Sequence, residues 1–107
     1  MGTRIKLDDR EVLKELSAKI QLTKDKSVWQ IRFWINDGQD FCYNLTERIE
    51  NAYYCEDIGL LQIRLVNRNG VFNLRSEYTY YKTSNCIDDN WYVVELGNGN
   101  ELEIELL

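Results

Sequence analysis

Between Asp9 and Ile20 the apolar residues Val12, Leu13, Leu16 and Ile20 recur at steps of three and four, placing them on one side of a helix. Asp8 or Asp9 supplies a carboxylate to cap its first amides. The run before it, Thr3 to Leu7, has room only for a short edge strand. From Ser27 the period changes to two. Trp29, Ile31, Phe33 and Ile35 fall on one face of a strand, and Val28, Gln30, Arg32 and Trp34 on the other. Phe41, Tyr43 and Leu45 continue the alternation beyond the turn signal Asn36-Asp37-Gly38. A two-residue loop there opposes Ile35 to Asp40. A three-residue loop opposes Phe33 to Phe41 and Ile31 to Tyr43, and apolar matching favours it.

Residues 46–59 change the spacing again. Thr46 can cap a short helix over residues 47–57 in which Ile49, Ala52 and Tyr53 face inward. Glu47 and Glu50 then sit near its positive end, with Gly59 as a stop. Asn69-Gly70 follows between two alternating runs, a strong hairpin signal. A two-residue turn pairs Leu65 with Leu74, Ile63 with Ser76 and Leu61 with Tyr78. It also sets Arg64 against Arg75, a repulsion that Glu77 offsets from the diagonal position. After a polar loop over residues 81–90, a last hairpin runs from Trp91 to Leu107. A three-residue loop, Gly97 to Gly99, pairs Val94 with Leu102 and Tyr92 with Ile104. Trp91, Val93, Glu95, Glu101, Glu103 and Glu105 then share the opposite face.

These elements predict an α+β fold in a single domain, residues 1–107. About six antiparallel strands in hairpins have one apolar face, covered by the N-terminal helix and the second short one. A strongly curled or barrel-like sheet is the alternative if Tyr78, Tyr80 and Trp91 turn inward.

Composition adds limits. The 107 residues suit one domain of ordinary size. The 18 acidic against 13 basic residues give a net charge of −5, which disfavours direct nucleic-acid binding and suits a basic partner or simple solubility. No apolar run approaches the ~20 residues of a membrane span, and the N-terminus has no apolar signal core, so a cytoplasmic location is expected. Gly2 lacks the hydroxyl residue at position six that myristoylation needs, and Asn44 matters as a glycosylation site only in a secreted chain. Cys42, Cys55 and Cys86 are odd in number and widely spaced, so free thiols packed as small hydrophobes are expected.

Chemistry is sparse. The chain has no histidine, which removes the usual general base and commonest metal ligand; no cofactor or metal is expected. Glu56–Asp57 and Asp88–Asp89 have the character of solvated turn residues. No nucleophile–base arrangement is present, so an enzyme is the least favoured class.

The aromatic residues are more informative. Trp34, Tyr81 and Trp91 fall in the parity class of polar neighbours, away from the apolar face. Each can pack under a loop on the second sheet face, or stand exposed beside the acidic stripe. Interfaces favour Trp and Tyr, and a single helix layer cannot cover both faces of a sheet. The expected function is therefore protein–protein binding, of an inhibitor or immunity type that occludes a basic site on its target. Its candidate residues are Trp34, Tyr81, Trp91, Glu95, Glu101, Glu103 and Glu105, and a sheet edge also offers a route to a homodimer. The alternative is a small-ligand site in a curved sheet lined by Tyr78, Tyr80 and Tyr92.

Overall fold

Capping and an apolar stripe fix the one helix of the described residues. The computed structural model describes residues 4–24, 26–35, 39–66, 71–83 and 91–107. Helix α1 runs from Asp9 to Thr23, and Asp8 Oδ1 accepts the Glu11 amide at 3.0 Å at its start. Val12, Leu13, Leu16 and Ile20 are all buried, as their spacing predicts. The strands are β1 (Arg4–Leu7), β2 (Val28–Ile35), β3 (Asp40–Cys55), β4 (Leu60–Leu65), β5 (Val71–Arg75), β6 (Thr79–Thr83), β7 (Trp91–Gly97) and β8 (Asn100–Leu106). They form one antiparallel sheet of eight strands in the order β1-β6-β7-β8-β2-β3-β4-β5.

The α+β class and the single antiparallel sheet hold, but six strands and a second helix do not. The expected helix over residues 47–57 is instead the second half of β3. The cause lies in a register shift between Ile49 and Asn51. Leu45 and Ile49 keep a period of two. The extra residue at the bulge then moves the inward positions to Ala52 and Tyr54. Ile49 and Ala52 thus come to lie three apart on one face, which imitates helical spacing. The two further strands are β1 and the product of a break at residues 76–78, which separates β5 from β6.

The hairpins keep the expected faces more faithfully than the expected registers. In the first, Ile35 pairs with Asp40 after all, and a bulge between Phe33 and Trp34 restores apolar matching: Phe33 to Tyr43 and Ile31 to Leu45. The loop at residues 36–38 lies outside the described residues. In the second, the strands slide by four positions, so Leu61 rather than Leu65 pairs with Leu74, and Ile63 pairs with Phe72. An even slide leaves every side chain on its face. It also removes the Arg64–Arg75 clash, since Arg64 now opposes Val71. The Asn69–Gly70 turn lies outside the described residues. The last hairpin pairs as expected, Val94 with Leu102 and Tyr92 with Ile104. Its tip is tighter, with Gly97 paired to Asn100 and a bulge after Glu95.

The sheet curls. Strands β5 and β6 stand at the far edge and second from the opposite edge, yet only residues 76–78 join them. Such a link spans at most about 14 Å, so the two ends must approach each other. Tyr80 Oη confirms the approach by donating to the Arg75 carbonyl at 2.7 Å. Helix α1 braces the curl from within. On one flank Arg10 donates to the Glu56 carbonyl at 2.6 Å and Gln21 to the Ala52 carbonyl at 2.8 Å. On the other, Lys19 donates to Tyr92 Oη at 2.6 Å and Glu15 pairs with Lys82 at 3.3 Å. One core joins the helix stripe to Trp29, Ile31, Leu45, Ile49, Ile63, Leu74, Tyr80, Tyr92 and Ile104. Cys55 is a free thiol but exposed at the end of β3, not packed as expected. The side chains of Cys42 and Cys86 lie outside the described residues.

Candidate functional site

Alternation and register together place the seven candidate residues on one outer surface. In β7, β8 and β2 the successive rungs are Glu95–Glu101–Trp34, Val93–Glu103–Arg32 and Trp91–Glu105–Gln30. Tyr81 of β6 opposes Val93 and extends the middle rung. The seven residues, collected by parity alone, are therefore neighbours in space, because β8 lies between β7 and β2.

Arg32 organises the lower two rungs. Its Nη2 lies 3.2 Å from Glu103 Oε2 and 3.0 Å from Glu105 Oε1, while Nη1 donates to Gln30 Oε1. Trp91 Nε1 donates to Glu103 Oε2 at 2.8 Å, and its ring lies 5.8 Å from the Arg32 guanidinium carbon, within cation–π range. Partial burial opposes the charge on Arg32, but the bonds and charges of Glu105 and Glu103 outweigh it and hold the guanidinium above its usual pKa. Arg32 and Glu103 side chains are only 18% and 14% exposed, so this network is partly withdrawn from water. The acidic stripe is thus half-neutralised from inside the protein.

The upper rung differs. Glu95 and Glu101 face each other directly across β7 and β8, an unfavourable like-charge pair in isolation. Tyr81 Oη donates to Glu95 at 3.4 Å. Glu101 is buried, as is Val93 at the centre of the patch. Beside this rung lies an open cleft of about 460 Å³, lined by Tyr78, Thr79, Glu95, Leu96 and Glu101. Of the three tyrosines expected to surround a small ligand, Tyr78 lines it. Tyr80 and Tyr92 are fully buried in the core. Among the described residues no three His, Cys, Asp or Glu side chains converge to hold a metal ion, and no helix is long and apolar enough to cross a membrane.

Arg32 is the residue the sequence did not single out. It stood in the parity class of Gln30 and Trp34, but its partners come from β8, 71 and 73 residues away in the chain. Only the adjacency of β2 and β8 reveals it. No known protein family, curated protein or solved structure matches the chain.

Proposed function

We propose that the protein is a binding module that recognises a basic protein surface through the outer face of β7, β8 and β2. The observation that carries this reading is the assembly of Trp34, Tyr81, Trp91, Glu95, Glu101, Glu103 and Glu105 on three adjacent rungs of one face. Those three strands carry four carboxylates there, of which Glu101 is buried, and one guanidinium. Such a surface steers a basic partner during encounter, and the indoles supply rigid apolar area to anchor it. An inhibitor or immunity-type protein that covers the basic substrate site of an enzyme has these properties.

The internal Arg32 network gives the surface a fixed shape before binding. Side chains that are already ordered lose less freedom on association, which favours a rigid recognition face. The test is the salt dependence of association with the partner recovered by affinity capture. A rise from low to high ionic strength should slow association by about tenfold or more while dissociation changes little. An association rate indifferent to salt contradicts electrostatic recognition.

A further inference from the structure

Strand β5 pairs with β4 on one side, and among the described residues no strand pairs with its other edge, which lies away from the acidic face. Ser76 N–H donates to the Gly59 carbonyl at 2.8 Å, which fixes the phase of the β4–β5 ladder. Hydrogen-bonded and non-bonded pairs alternate along antiparallel strands, so Leu74 and Phe72 direct their amides and carbonyls to β4. Val71 and Asn73 must then point theirs outward. The Arg75 carbonyl, next in that outward series, is already taken by Tyr80 Oη and the Tyr78 amide, which closes this end of the edge.

The sequence of β5 carries a charged residue only at its end, Arg75. Natural edges are blunted by lysine, proline or carboxylates, and residues Val71 to Leu74 contain none. The opposite edge, β1, is four residues long and carries Lys6. The side chains along β5 alternate: Leu74 is buried and Phe72 packs against the core, while Val71, Asn73 and Arg75 are exposed. On the outer face of β4 and β5 stand Arg64, next to Val71, and Arg75, with no carboxylate among the alternating outer positions of the two strands. Glu77, just beyond β5, lies 3.9 Å from Arg75 and offsets part of its charge, so these three side chains leave the corner with a net positive charge.

We propose that β5 accepts an extended segment of a partner protein in which apolar and acidic residues alternate. Its backbone pairs with the outward amides and carbonyls of Val71 and Asn73. Its apolar side chains continue the inner face beside Phe72 and Leu74, and its carboxylates meet Arg64 and Arg75 on the outer face. This docking is separate from the recognition face on β7, β8 and β2, and either can fail without the other.

The test titrates the protein against a short labelled peptide alternating valine and glutamate, and against its valine–lysine counterpart, by fluorescence anisotropy. The glutamate peptide should bind about tenfold tighter or more. Asn73→Pro removes an outward N–H without touching the β4 pairing, and should weaken the glutamate peptide by about tenfold. The double variant Arg64→Glu/Arg75→Glu should reverse the preference between the peptides, and it serves if the proline variant fails to fold. Equal binding of the two peptides, binding unchanged by Asn73→Pro, or a preference that survives the charge reversal overturns the proposal. A dimer formed without peptide and broken by Asn73→Pro also overturns it, by assigning the edge to a second copy.

Discussion

Arg32 shows how one residue changes the meaning of a sequence pattern. Three alternating glutamates suggest an open acidic stripe, but two of them share a guanidinium and one also holds the Trp91 indole. Replacing Arg32 by methionine keeps much of its packing and leaves Glu103 and Glu105 partly buried without their cation. Urea unfolding should show a loss of about 1–3 kcal/mol. Tyr80 makes a second case. Burial, with smaller contributions from Tyr78 and Asp9, raises its phenol above the ordinary value of 10.0. Above that pH the unfolded chain releases the proton while the folded one keeps it, so the unfolded state binds fewer protons and stability falls as pH rises. Tyr80→Phe should therefore flatten the stability loss above about pH 10, measured by urea melts across pH. At neutral pH the same variant should cost about 1 kcal/mol through the lost bond to the Arg75 carbonyl.

At the scale of elements, local chemistry and tertiary register divide the control. The helix was legible because its cap and stripe are local, and Asp8→Ala should lower thermal stability by about 1 kcal/mol. Parity was legible for the same reason wherever no bulge intervenes, since side chains alternate whatever the partner strand does; at the bulge of the first hairpin Phe41 comes opposite Trp34 instead of Phe33. Register was not. A slide by two or four positions preserves parity, so the sequence alone does not distinguish Leu61 from Leu65 as the partner of Leu74. The bulge beside Asn51 hid β3 because one extra residue gives inward positions a helical interval.

Gly59 marks the turn that brings β4 back along β3. Its φ is +61°, and a Cβ there would stand 2.3 Å from Ser76 Oγ. Gly59→Ala should cost about 1–3 kcal/mol in a denaturant titration. Ser76→Gly in the same chain should recover only the part due to the clash, because the positive φ remains.

For the whole molecule, the decisive feature is the curl that the short link between β5 and β6 enforces. The radius of gyration of 13.1 Å matches the value of about 13 Å for a compact chain of this size. Curling gives the sheet a concave side filled by α1 and a convex side that a single helix cannot reach. The candidate face lies on that convex side. The sequence identified its residues by parity but not their neighbourhood, since β2 and β8 are adjacent only through the overall topology. Glu103 and Glu105 both serve the Arg32 network, so substituting either would confuse binding with stability. Glu95, outside the core, partly exposed and not bonded to Arg32, is the better residue for charge reversal.

The most direct measurement is quantitative affinity capture from the source organism's lysate with wild type and Glu95→Lys, both shown to be folded by circular dichroism. A protein with a basic surface should be enriched by wild type and reduced by about tenfold or more with the variant. Capture of the same proteins in the same amounts by both would contradict recognition through this face.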